Sequence, residues 1–282
     1  IRTTEKIMYF SHGRLRKLLG FFIYYFDLLN IESVIRHIHE LPDAPPVPEE
    51  ALYNTGTSGL VDTGKLASCT NLAVISEILG GTFLDQPFER AVENYKQSGD
   101  ISYLTTELEL AFLQHWLETA RRCQSGLFSL SEHAGIFDVF ITLKIITSAM
   151  RMQYSREGYA GAVKKILSVF LSGEKLLNAV AVLEEKPPET AFEYLTAVLL
   201  PDKICSQMPE WNFSYTNLDF YIREFLLKMC RKKKVNAGIG IEYLLSFSFI
   251  KMLESLNIIS IIESKDLGLK PEETRKYIAG VQ

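Results

Sequence analysis

An acid and a carboxamide recur together at one spacing in this chain. Asp27 and Asn30 lie three residues apart, as do Glu254 and Asn257, and residues at that separation share one face of an α-helix. Such a pair can hold hydrogen bonds, but acid–base catalysis needs two carboxyls roughly 5–10 Å apart on a common substrate. Asp138 is a third acid in a matching context. Three copies of one position on three separate helices do not converge on a reaction centre, so Asp27, Asp138 and Glu254 are expected as helix-surface groups or contacts between repeats.

Other groupings resemble chemistry without completing it. Gly59-Leu-Val-Asp-Thr-Gly64-Lys65 satisfies the glycine and lysine spacing of a phosphate-binding loop. That loop also needs a buried strand before it and a Ser or Thr after the lysine to hold magnesium. Leu66 stands there instead, and the segment is expected as a loop entering a helix, with Leu66 and Leu176 packed inward. Gly238-Ile-Gly240 lacks the third glycine of a dinucleotide fingerprint and reads as a helix break. His37 and His39 are two residues apart, so on a helix they diverge and cannot share an ion. His115 and His133 stand alone. No Gly-x-Ser-x-Gly element, catalytic cysteine context or Asp-rich magnesium motif is present. No catalytic residue, cofactor, metal site or small-molecule substrate is expected. One charged run remains: Arg231, Lys232, Lys233 and Lys234 are candidates for contact with an acidic protein surface or anionic lipid headgroups, against a solvated turn as the plain alternative.

Composition limits the classes further. The 282 residues are 47% hydrophobic with a net charge of −4, enough apolar content for a sizeable core and too acidic a balance for a nucleic-acid partner. Cys69, Cys123, Cys205 and Cys230 form no close pair, which fits free thiols in a reducing compartment. No uninterrupted apolar run approaches 18 residues, so no membrane span is expected, and no signal-peptide pattern follows Ile1.

The elements that must position these residues are helices. Apolar residues recur at three- and four-residue spacing over 15–39, 71–79, 86–97, 104–123, 135–152, 159–171, 188–199, 220–229 and 241–264, the stripe of helices that bury one face. Prolines and glycines fall between these blocks, and no alternating β-branched run appears. The fold class is all-α.

The chain also resembles itself. Residues 26–35, 137–146 and 253–262 align, with acids at Asp27, Asp138 and Glu254, then Asn30, Ile141 and Asn257, then apolar pairs Val34 with Ile35, Ile145 with Ile146 and Ile261 with Ile262. Pro48-Glu-Glu50 follows the first copy and Pro271-Glu-Glu273 the third. The period exceeds that of ordinary solenoids. It predicts one all-α domain of three repeats, near 1–70, 71–182 and 183–282, with each apolar pair buried in its own bundle.

These residues resemble a known family. Ile241-Glu-Tyr-Leu-Leu, Leu256-Asn-Ile-Ile-Ser-Ile-Ile and Leu267-Gly-Leu-Lys-Pro-Glu-Glu-Thr-Arg275, together with Gly81-Thr82-Phe83 and 27–31, are similar to the C-type subunit of V/A-type rotary ATPases, the equivalent of the d-type subunit of eukaryotic vacuolar ATPases. Ile141 in place of Asn and Lys186-Pro187 in place of Gly-Thr-aromatic depart from the pattern. The resemblance implies a funnel-like socket of three pseudo-symmetric helical bundles, without catalytic activity. It would sit as a peripheral component on the cytoplasmic face of a membrane, its partners the central-stalk rotor subunits and the proteolipid ring, and transmit torque for ion transport. A helical scaffold unrelated to ATPases is the competing reading.

Overall fold

A computed structural model describes residues 2–124, 134–155, 160–200, 202–206, 208, 218–236, 241–275 and 278–280. Among the described residues every regular element is a helix. The chain divides into two compact units, Ile1–Leu130 and Ser131–Gln282.

The first unit contains α1 (Arg2–Phe10), α2 (Gly13–Glu40), a 3₁₀ turn at Glu49–Ala51, α3 (Thr63–Ala67), α4 (Leu72–Leu79), α5 (Asp85–Ser98) and α6 (Ser102–Gln124). The long helix α2 packs against α1, α3, α4 and α6. Its aromatic residues meet those of α6 in a ring cluster: Phe21 stacks on Trp116 at 5.6 Å between centroids, and Phe83 stacks on His115 at 4.2 Å. Asn71 caps α4 by accepting from the Ala73 and Val74 amides, which satisfies two of the donors a helix start leaves open. The Gly81-Thr82-Phe83 element is the turn that joins α4 to α5. Gly81 takes φ +77°, Thr82 Oγ1 donates to the Leu79 carbonyl at 2.7 Å, and Phe83 is thereby aimed into the ring cluster.

The second unit contains α7 (Ala134–Ser155), α8 (Ala160–Leu167), α9 (Gly173–Glu185), α10 (Pro188–Leu199), α11 (Asp202–Cys205), α12 (Leu218–Asn236), α13 (Ile241–Asp266) and α14 (Pro271–Thr274). Pairings seen in the first unit recur here. The long helix α7 packs on α9, α10 and α12, as α2 packs on α3, α4 and α6. Leu66 and Leu176 are both buried, as expected.

The apolar pairs do not share one fate. Val34, Ile35, Ile145 and Ile146 are buried, whereas Ile261 is 42% and Ile262 55% exposed, which corrects the expectation that all three pairs lie in cores. Helix α13 packs on α12 and α14, and neither covers the face that carries these two residues and Ile258. The expectation about membrane spans is also adjusted. Although no uninterrupted run is long enough, segments Leu15–Glu40 and Tyr243–Asp266 are long and apolar enough to cross a membrane by length and composition. In the first, 78% of the apolar window is buried inside the protein and in the second 44%. For α2 that burial is the signature of a core helix.

Candidate functional site

The acid and carboxamide of α2 hold the chain that follows the helix. Asn30 Nδ2 donates to the Tyr53 carbonyl at 2.8 Å and Asn30 Oδ1 accepts from the Tyr53 amide at 2.7 Å, so one side chain closes both backbone groups as a strand partner would. One helical turn earlier, Asp27 is fully buried. Thr55 Oγ1 donates to its Oδ1 at 2.6 Å, the Leu60 amide to its Oδ2 at 2.5 Å, and the Val61 amide also bonds to it. Burial pushes the Asp27 carboxyl up to about 6, against the pull of those three hydrogen bonds. The expectation of a helix-surface acid fails here because the 55–61 loop folds back over it. Gly59 makes that closure possible: a Cβ there would stand 2.5 Å from Thr55 Oγ1 and 3.0 Å from Asp27 Oδ2.

The third copy repeats the clamp. Asn257 Nδ2 donates to the Ala279 carbonyl at 2.8 Å and Asn257 Oδ1 accepts from the Ala279 amide at 3.0 Å. The two asparagines lie 227 residues apart and their bonded partners 226 apart (257 − 30 and 279 − 53). Between asparagine and partner, each Pro-Glu-Glu segment opens a helical turn, Glu49–Ala51 in one case and α14 in the other. Beside Ala279, the Gly280 amide donates to the buried Glu224 of α12. Glu254, which aligns with Asp27, instead pairs with Lys251 at 2.7 Å on a half-exposed face. In the middle copy Ile141 is buried and has no group for such a bridge. The side chain of Asp138 lies outside the described residues.

The other sequence candidates are not brought together. Asp62 caps α3 by accepting from the Lys65 amide at 3.0 Å, an acid at the place where a phosphate would have to sit. His37 Nε2 bonds to the Pro45 carbonyl and His39 Nδ1 to the Tyr95 hydroxyl, both at 2.8 Å, so each histidine ties a loop or helix down separately. His115, under Phe83, has its pKa lowered by burial. Among the described residues no group of three metal-ligating side chains occurs, and Cys69, Cys205 and Cys230 are not in disulfides. His133, Gly238 and Gly240 lie outside the described residues, as does the side chain of Cys123.

The basic run stands on a helix rather than in a turn. Arg231, Lys232, Lys233 and Lys234 occupy the last turns of α12, where cations complement the negative end of the helix dipole. Arg231 and Lys232 are exposed, and the Arg231 guanidinium lies against Gly280, 3.2 Å from where a Cβ would be. The side chains of Lys233 and Lys234 are outside the described residues.

This geometry is a set of structural clamps on helical units, with no assembled reaction centre among the described residues. A family model described as ATP synthase (C/AC39) subunit matches residues 1–277. No curated protein and no solved structure gives a match.

Proposed function

This chain belongs to the ATP synthase (C/AC39) subunit family of V/A-type ATPases, and we propose that it works as the non-catalytic coupler between the central rotor stalk and the membrane proteolipid ring. It would sit peripherally on the cytoplasmic face and carry torque between the two by shape and contact area, as a permanent subunit contact does. The observation that carries this reading is the family match over nearly the whole chain. The matched clamps Asn30–Tyr53 and Asn257–Ala279 and the recurring helix pairings support a threefold repeat, whose aligned segments lie on α2, α7 and α13. Three such copies set around an axis would make a socket for the tip of a shaft. The run Arg231, Lys232, Lys233 and Lys234 is our candidate for contact with an acidic partner or headgroup.

The test is uncoupling. Membrane vesicles from cells lacking this chain should lose ATP-driven ion uptake, and adding back the purified chain should restore it. Uptake that is unchanged in its absence would refute the coupler role.

A further inference from the structure

The corner between α1 and α2 carries two features that the clamps do not use. Tyr9 and Phe10 project from the end of α1 with 76% and 79% of their surfaces exposed, packed edge to face at 5.2 Å. Lys6 shares their helix face at i and i+3, i+4 spacing, while Thr4 and Met8 are buried on the opposite side. His12, Arg16 and Lys17 follow, all exposed. Residues 2–17 hold five Lys or Arg against the single acid Glu5 in a chain whose net charge is −4. Glu5 turns away from that face, its carboxylate leaning over Gly56. Two hydrogen bonds close the corner: Ser11 Oγ donates to the Ile7 carbonyl at 2.8 Å and the Ser11 amide to the Met8 carbonyl at 3.1 Å.

From this we infer that the α1–α2 corner is a docking surface for an anionic phospholipid membrane, with Tyr9 and Phe10 seated at headgroup depth and Lys6, Arg16 and Lys17 against lipid phosphates. Charge complementarity selects the partner. Adjacent exposed aromatic rings match the membrane–water interface, where such side chains concentrate, and nearby cations in the sequence gain from the negative surface potential of the leaflet. An acidic protein surface would satisfy the cations and leave two large rings without a pocket. The inference rests on the reading of the chain as a peripheral membrane subunit and names the surface that meets the lipid.

Sedimentation of the full chain with vesicles tests it, using phosphatidylcholine alone and phosphatidylcholine mixed with phosphatidylglycerol. The wild-type chain should pellet with the mixed vesicles at low salt, release as salt rises, and stay in solution with phosphatidylcholine alone. Tyr9→Ser with Phe10→Ser should lower the partition coefficient about tenfold. Arg16→Gln with Lys17→Gln should lower it about twenty-five-fold, at about fivefold per cation. All four residues are exposed, so circular dichroism should confirm unchanged helices. A wild-type chain that ignores anionic vesicles, or variants that pellet as well as the wild type, would overturn the inference. So would binding to polyglutamate that needs the cations and ignores the rings, which would identify an acidic protein as the partner. If rotary subunits still co-purify with a chain that ignores lipid, only this surface is lost; if neither is recovered, the coupler reading falls with it.

Discussion

Asp27 takes its hydrogen bonds from neutral donors in a buried site, and this gives the molecule a pH dependence with a definite sign. Its carboxyl titrates at about 6 in the folded chain against 3.8 for a free side chain. Between those values the folded state binds more protons than the unfolded one, so stability rises as pH falls through 6 and gains nothing more from this group below about 4. The whole effect is on the order of 2–3 kcal/mol. Asp27→Asn keeps an acceptor for the loop amides and a donor toward Thr55 while removing the charge. Urea titrations should therefore show the wild type gaining on Asp27→Asn as pH drops from 7 to 4. Parallel curves would refute the assignment. Asp27→Ala strands the loop donors and should destabilise by about 2–4 kcal/mol at pH 4, the loss shrinking as pH rises through 6. The asparagine clamps make a second residue-scale prediction. Asn30→Ala should speed hydrogen exchange at the Tyr53 amide, and Asn257→Ala at the Ala279 amide, each with a stability loss of about 2 kcal/mol. Unchanged exchange at either amide would remove that clamp. The spacing of Asp27 and Asn30 on one face was readable in the sequence. Their partners were not, because most are backbone groups more than twenty residues away and leave no side-chain signature.

At the scale of elements, the helical period located α2, α4, α5, α6, α7, α8, α10 and α13 to within a few residues, because each buries a stripe that the spacing displays, while it ended α12 at 229 where the helix runs on to Asn236 through the basic run. Short pieces such as α3 and α14 carry too few residues to show a period and are set by caps and tertiary contacts instead. The apolar pairs show where periodicity stops being informative. It marks a face as apolar without saying what lies against that face, and Ile145 with Ile146 is buried while Ile261 with Ile262 is not. The consequence is opposite behaviour under one substitution. Ile145→Asp with Ile146→Asp places two unpaired charges in a core, at several kcal/mol each, and should abolish cooperative folding. Ile261→Asp with Ile262→Asp should leave the thermal midpoint within a few degrees of the wild type. Thermal melts followed by circular dichroism would check both, and collapse of the second variant would show that this face of α13 is covered.

At the scale of the whole molecule, the all-α class and the family were legible from periodicity and from diffuse packing motifs, and the family match over residues 1–277 agrees with them. Function was legible only through that family, since the coupler proposed here would work by contact area and would carry no reactive constellation for spacing to reveal. The sequence candidates resolve into structural contacts: the glycine–lysine loop is held by an aspartate and capped by another, and the paired histidines point to separate partners. The proposed role is one that must appear in the partners of the chain. The most direct measurement is affinity capture of the tagged chain from native membranes at low salt, with mass spectrometry of the bound proteins. Recovery of the central-stalk subunits together with the proteolipid is the predicted result, and capture of neither from intact membranes would contradict the coupler.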